Sequence, residues 1–353
     1  MRARREDAEL RILAAGDHFV GTGLLAGAVR AEIGAGHEFS ELTLPWPVEP
    51  FGPVANVHEA SGTEEQVIEA LAGAEVAVTQ MAPFTKQVFA AAPGLKLVSV
   101  CRGGPVNVDL AAATEAGVAV TYAPGRNAGA AAEFAVGMIL AAMRRISTSS
   151  AELLGGTWRG DYYAYDQTGL ELDGTTVGLV GYGAIGARVA KVLIAFGAKV
   201  LVSDPFADPA KIAADGAELV ELDDLLRRSF VVSLHARLTE ETRHLIDAAK
   251  LALLPEGAVL VNTARGGLLD YSPLPEALRS GRLGALALDV YDVEPPPADW
   301  ALRDAPNVIA TPHLAGASRQ TAERAANIVA AEVGRYARGE ALANLANPEV
   351  LRP

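Results

Sequence analysis

A single cysteine, Cys101, stands in 353 residues, so no intramolecular disulfide can form. That fits a reducing compartment, and a lone thiol reads as a small core residue. Aromatic residues are scarce, at 6% of the chain. Basic residues are outnumbered: 30 Lys and Arg against 43 Asp and Glu leave a net charge of -13. Such a surface repels phosphate backbones, which argues against nucleic acid as a partner. Long hydrophobic runs are missing too. The most apolar stretch, Ala128 to Met143, carries Glu133 and ends at Arg144-Arg145, short of the roughly 20 apolar residues a bilayer requires. Acidic residues interrupt any secretion signal in the opening MRARREDAE, so residues 1–9 read as a frayed, charged tail and the chain as cytoplasmic. No metal site is expected.

What remains is a globular composition, half hydrophobic and 21% charged, in a chain long enough for two domains. Short apolar runs alternate with alanine-rich segments. In the first part, strands are expected at Leu10–Ala14, Glu75–Thr79, Lys96–Val100 and Val118–Thr121, with helices such as Glu64–Ala72 and Leu110–Ala116 between them. A long helix is expected from Ala128 to about Arg145. From residue 176 the rhythm restarts with six strand-like runs: 176–180, 199–203, 230–234, 258–262, 285–289 and 308–310. A last helix is expected from Ser318 to Arg338. This β-α-β alternation gives an α/β fold with parallel sheets.

The sharpest local signal is Gly181-Tyr182-Gly183-Ala184-Ile185-Gly186, which follows an apolar strand and opens a helix. In a dinucleotide fingerprint, Gly181 would permit the tight turn, Gly183 the close approach of backbone to pyrophosphate, and Gly186 the packing of helix on strand. The helix N-terminus then presents free N–H groups, with Ala184 and Ile185 in the phosphate-facing turn. The next strand ends at Asp204, about 20 residues on. A carboxylate there accepts hydrogen bonds from the ribose hydroxyls and repels a 2′-phosphate, so NAD is expected rather than NADP.

Three further segments end strand-like runs, where an open α/β sheet builds its crevice. They carry Arg265, Asp289 with Glu294, and His313. Reducing a 2-oxo acid needs a hydride on C2 and a proton on the carbonyl oxygen. A histidine supplies the proton near neutral pH, a carboxylate beside it holds the ring, and a guanidinium forks onto the substrate carboxylate. His313 is therefore expected as acid/base, Glu294 as its partner and Arg265 as the substrate clamp.

Together with Gly103-Gly-Pro-Val-Asn-Val-Asp109, Pro124-Gly-Arg-Asn-Ala128, Ala132-Glu133-Phe134 and His235-x-x-Leu-Thr239, these motifs resemble the D-isomer-specific 2-hydroxyacid dehydrogenases over nearly the whole chain. The resemblance implies two Rossmann-like doubly wound domains with a cleft between them. One is a flavodoxin-like substrate domain of residues 1–125 and 318–353; the other is an NAD-binding domain of 126–317. The helix from Ala128 would then be a hinge. Asp289 would bind the nicotinamide amide. Backbone at Thr263, Ala264 and Arg265 would lie beside the cofactor, and His235-Ala236 along its phosphates and ribose.

Gln80 and Met81 in the loop 79–83 would face the substrate, a small anionic 2-hydroxy or 2-oxo acid. Gly103 and Gly104 would offer it N–H groups. That loop has no basic residue, which weakens a phosphorylated substrate, unless Arg102 compensates; the alternative for Arg102 is a structural ion pair. Family members pair through their cofactor domains, so a homodimer is implied, with the stretch Trp158 to Tyr165 as a candidate contact. Arg237 replaces the family's usual proline after His235. No regulatory domain is expected after the last helix. Formate or phosphite dehydrogenases share the fold, but formate enzymes pair the histidine with glutamine, which Glu294 is not. NAD-sensing corepressors also keep these residues and form the non-enzymatic alternative.

Overall fold

The computed structural model describes residues 9–352. The expected N-terminal tail thus lies almost wholly outside the described residues. The chain forms two compact units. The first runs to Asn127 and resumes at Ser318; the second is Ala128–Ala317.

In unit 1, five strands form a wholly parallel sheet: β1 (Arg11–Gly16), β2 (Glu38–Thr43), β5 (Val76–Thr79), β6 (Leu97–Val100) and β7 (Ala119–Tyr122). A short antiparallel ribbon, β3 (Gly52–Val54) and β4 (Val57–Ala60), lies outside it. The sheet order is β2-β1-β5-β6-β7, a flavodoxin-like winding whose direction reverses between β1 and β5. Strands β5 and β6 are buried at every position, as a sheet covered on both faces demands. One face packs Leu13, Val98, Val120 and Phe84; the other packs Ile12, Val78 and Leu97 against Ala322, Ala326 and Val329 of the last helix, Arg319–Arg338. Ser318 caps that helix, accepting from Thr321 N, and Gly339 ends it at φ 68°.

Unit 2 opens with the helix Ala128–Met143. Seven parallel strands follow: β8 (Thr176–Val180), β9 (Lys199–Ser203), β10 (Glu218–Leu219), β11 (Val231–Leu234), β12 (Ala258–Asn262), β13 (Leu283–Leu288) and β14 (Val308–Ala310). Their order, β10-β9-β8-β11-β12-β13-β14, is the dinucleotide-binding winding with a seventh strand added; its reversal lies between β8 and β11. Leucines dominate one face, including Leu201, Leu260, Leu286 and Leu288, while valines and alanines pack the other against the Ala128–Met143 helix. Among the described residues no helix is long and apolar enough to cross a membrane.

Candidate active site

Unit 2 brings its motifs to the carboxyl edge of its sheet. The glycine turn joins β8 to the helix Gly186–Ala195. Gly181 has φ 103°, and a Cβ there would sit 2.7 Å from the His235 carbonyl carbon. Only glycine lets the turn after β8 pass this close to the turn after β11. A Cβ on Gly186 would meet the Gly181 carbonyl oxygen at 2.2 Å, so this glycine seats the helix on the strand. At Gly183 a Cβ would meet nothing within 4 Å. Its bareness serves no packing need, which leaves room for a group from outside the chain. No side chain caps the helix Gly186–Ala195. Its first N–H groups, near Ala184, Ile185 and Gly186, are thus presented to a phosphate.

Asp204 is fixed at the end of β9. Its Oδ2 accepts from Tyr182 N at 2.7 Å and its Oδ1 from Phe206 N at 2.9 Å. Both bonds leave lone pairs for ribose hydroxyls. The Thr263 hydroxyl oxygen is buried without a partner. This orphan, the bare Gly183 and the uncapped helix are the features a bound dinucleotide would complete, so the residues present fit NAD. Burial pushes the His235 imidazole down to about 4, and its Nε2 lies 3.0 Å from Ser233 Oγ. It is therefore uncharged at pH 7, a neutral wall beside Ala236 rather than a phosphate-binding cation.

The reactive side chains stand on the next strand ends. Asn262 closes the turn after β12, accepting from Ala264 N at 3.0 Å and donating to the Arg265 carbonyl at 2.8 Å. Gly266 packs so tightly on Tyr291 that a Cβ would lie 1.9 Å from its carbonyl. These contacts fix the backbone on which Arg265 is exposed, with Nη1 donating to the Ala264 carbonyl.

His313 Nδ1 lies 2.7 Å from Glu294 Oε2, and Glu294 Oε1 accepts from Tyr291 N at 3.0 Å. Burial raises the Glu294 carboxyl, but the His313 hydrogen bond and charge, the Tyr291 N–H and the Arg265 charge outweigh it; the net shift is downward. Glu294 is thus a carboxylate through the physiological range. Nε2 of His313 has no hydrogen-bond partner among the described residues, and the ring is 41% exposed.

Two residues that the motifs alone did not single out hold this pair. Tyr291 donates its hydroxyl to the Thr311 carbonyl at 2.8 Å and stacks edge-on against Trp300. Burial first, then the charges of Asp289 and Glu294, push its phenol up to about 12, so it remains a donor. Thr311 in turn donates to Asp289 Oδ1 at 2.6 Å. An aromatic between Asp289 and Glu294 was the available sequence signal. Asp289 itself is fully buried. Besides Thr311, it accepts from Leu314 N at 2.8 Å and Ala315 N at 2.7 Å. Its carboxylate therefore builds the turn that carries His313, whose φ is +55°.

Unit 1 gathers its expected substrate residues at the carboxyl ends of β5 and β6. Gln80 is 2% exposed with its Oε1 unpartnered. Met81 is 1% exposed, packs in the core, and its carbonyl accepts from Ser61 N; its side chain is core. Arg102 forms an ion pair with Glu59, and its Nη1 also donates to the Glu59 carbonyl at 3.3 Å. The ion-pair alternative is what the structure contains. At Gly103 and Gly104 a Cβ would meet nothing within 4 Å.

Comparison with known proteins places this arrangement. Residues 136–315 match the model of the NAD binding domain of D-isomer specific 2-hydroxyacid dehydrogenases. A D-3-phosphoglycerate dehydrogenase of Methanocaldococcus jannaschii is 39% identical over 83% of this chain and 56% of its own length. The chain spans about half the length of the curated phosphoglycerate dehydrogenases it matches. A glyoxylate reductase of Korarchaeum cryptofilum is 36% identical over 83% of this chain and 89% of its own. The crystal structure of the TT0316 protein from Thermus thermophilus superposes with a TM-score of 0.78 at 32% identity, covering 96% of this chain and all of that one. With its glycine turn, its Asp204 and its match to the family's NAD binding domain, the chain takes NAD as cofactor and belongs to the D-isomer-specific 2-hydroxyacid dehydrogenase family.

Proposed function

We propose that the protein interconverts a small 2-oxo acid and the corresponding D-2-hydroxy acid. The observation that carries this reading is the Glu294–His313 pair at 2.7 Å on the edge that also holds Arg265 and the glycine turn. When bound, the cofactor would supply the two-electron chemistry, as NADH a hydride for C2 and as NAD+ its acceptor. Reduction then requires one proton on the C2 oxygen. His313 delivers it from Nε2, because Nδ1 is committed to Glu294. In oxidation the same Nε2 accepts the hydroxyl proton. Glu294 fixes the ring through Nδ1. Arg265 holds the substrate carboxylate with a forked guanidinium and stabilises charge on the C2 oxygen.

In this reading, residues 126–317 are the NAD-binding domain, and residues up to 125 with those from 318 on recognise the substrate. Gly103 and Gly104, which no side chain obstructs, offer N–H groups to the acid. Asp204 selects NAD over NADP, and Thr263, Ala264 and Asp289 frame the nicotinamide end. The active form is a homodimer built through the NAD-binding domains. The helix Ile146–Leu154 buries no residue, and Leu154, Trp158, Tyr163 and Tyr165 are each more than four-fifths exposed, large apolar side chains of the kind an interface covers.

The test follows NADH absorbance against glyoxylate, hydroxypyruvate, pyruvate and 2-oxoglutarate. Turnover with at least one acid, lowered about 10²–10⁴-fold in His313→Ala with NADH affinity kept, is expected. Tight NADH binding without turnover of any acid, together with specific capture of a protein partner, would replace the enzyme reading by NAD sensing.

A further inference from the structure

The pyrophosphate of a dinucleotide is a dianion, and this chain must hold it against its own net charge of -13. The glycine turn offers it backbone alone: Gly181-Tyr182-Gly183-Ala184-Ile185-Gly186 contains no Lys or Arg. Helix N–H groups supply part of the countercharge. The segment packed on that turn begins at His235, whose carbonyl carbon lies 2.7 Å from where a Cβ on Gly181 would sit. Burial keeps the His235 imidazole uncharged at pH 7, so it adds no countercharge. The next cation along the chain is Arg237, at a position where the family's pattern has proline.

The backbone at Arg237 is set, while its guanidinium is unengaged. His235 N donates to the Val180 carbonyl at 2.8 Å, which ties the start of the segment to the end of β8. The Arg237 carbonyl accepts from Thr242 Oγ1 at 2.7 Å, and that hydroxyl oxygen accepts from Thr239 N at 2.7 Å, closing the loop 237–242. Leu238 Cδ2 would lie 3.0 Å from a Cβ on Gly267, so the loop is also packed down. Cα atoms two residues apart are separated by at most about 7 Å. The Arg237 side chain therefore starts within that reach of His235 and extends by three methylenes and a guanidinium. It is exposed, and no hydrogen bond or ion pair engages the guanidinium among the described residues. Other cations of the two segments are placed otherwise. Lys191 pairs with Asp215 at 3.6 Å and Arg243 with Glu240 at 3.9 Å. Arg188, exposed and also without a partner, stands in the helix Gly186–Ala195, past the turn.

We infer that Arg237 is a cofactor-binding residue particular to this chain, its guanidinium donating from the loop after β11 to the pyrophosphate of NAD. A guanidinium forks onto two phosphate oxygens, which a proline cannot do. In a chain with 43 Asp and Glu, an arginine that no carboxylate engages among the described residues is left for an anion from outside. The inference concerns the cofactor and holds whichever acid the protein turns over. Stacking on the adenine face is the other use of a free guanidinium. The countercharge that His235 does not supply favours the phosphate. Stacking requires the planar group, whereas the phosphate contact requires the charge, and lysine separates the two.

The experiment follows NADH binding to the purified protein by fluorescence, from about 0.01 M to about 1 M salt, over which the screening length falls from roughly 30 Å to 3 Å. Arg237→Gln is expected to weaken NADH about fivefold to tenfold at the low-salt end and to flatten the salt dependence. The melting temperature of the cofactor-free protein should stay the same, because the side chain holds nothing in the fold. Arg237→Lys should keep most of the affinity and of the salt slope. Unchanged NADH affinity in Arg237→Gln would overturn the inference. So would a lysine variant as weak as the glutamine variant with the wild-type salt slope, which marks stacking on adenine. An equal loss in Arg188→Gln would reduce the effect to the general field of the protein and overturn it as well. None of these readouts uses turnover, so they stand apart from the test of the acid chemistry.

Discussion

Asp289→Asn tests whether one buried carboxylate builds the catalytic turn. Asp289 is fully buried and accepts three hydrogen bonds, from Thr311 Oγ1, Leu314 N and Ala315 N, at 2.6–2.8 Å. Asparagine keeps the shape but turns one oxygen into an NH2 donor. In either orientation of the amide, that donor faces a backbone N–H. At least one charge-assisted bond, about 1.5–3 kcal/mol, is lost, and a buried donor is left unpaired at about 1–3 kcal/mol more. The sum is roughly 2.5–6 kcal/mol. In a unit the size of Ala128–Ala317, each kcal/mol moves the midpoint by roughly 2–4 °C, so a fall on the order of 10 °C is expected. The assay is thermal unfolding of the cofactor-free protein, with kcat measured alongside. Because the turn presents His313, kcat should fall too. An unchanged midpoint in the cofactor-free protein, with only NADH affinity reduced, would refute the reasoning and leave Asp289 as a cofactor contact alone.

Two glycine variants should separate packing from cofactor contact. Gly183→Ala should melt like the wild type yet bind NADH weakly, because its Cβ meets only the space the pyrophosphate needs; Gly186→Ala should lose both, since its Cβ would press on the Gly181 carbonyl. Equal melting of the two would contradict this. His235 makes unit 2 sensitive to acid. Its folded value of about 4 lies below the free value of about 6.5, so the neutral form is favoured by folding and stability is lost as pH falls through that window, by up to about 3 kcal/mol. Urea titrations at pH 7 and pH 5 on wild type and His235→Asn should show the wild type losing more stability. Asp204→Ser should relax discrimination against NADP in kcat/KM, and unchanged selectivity would displace the ribose contact. Trp158→Ser with Tyr165→Ser should shift the mass seen by light scattering toward the monomer, if the exposed aromatic stretch is the dimer contact.

Much of unit 2 was legible because its strands are short apolar runs that stop at residues with a chemical task. All six expected runs are strands within a residue or two. Only β10, two residues long, was missed. Unit 1 was read less completely. Strand β2 is an edge strand with four of six positions exposed and Glu38 and Glu41 among them, so no apolar alternation marks it. The ribbon of β3 and β4 is equally short of a core-facing pattern. The site divides in the same way. His313, Glu294 and Arg265 are visible because their types match the chemistry of a strand end. Arg102 and Arg237 are both free cations in sequence; only the ion pair with Glu59 sets one aside, and only the structure leaves the other without a partner. A missing partner is a property of packing, which no local pattern encodes.

The central claim is that this edge moves hydride to C2 with His313 as the proton donor. The most direct measurement is a single turnover with NADH deuterated at nicotinamide C4 and a large excess of glyoxylate or hydroxypyruvate, read by NMR of the product. The account predicts deuterium on C2 of the hydroxy acid with the wild type, and product formation at least about a hundredfold slower in His313→Ala at equal NADH occupancy. Deuterium absent from C2, or an undiminished rate in His313→Ala, would contradict it.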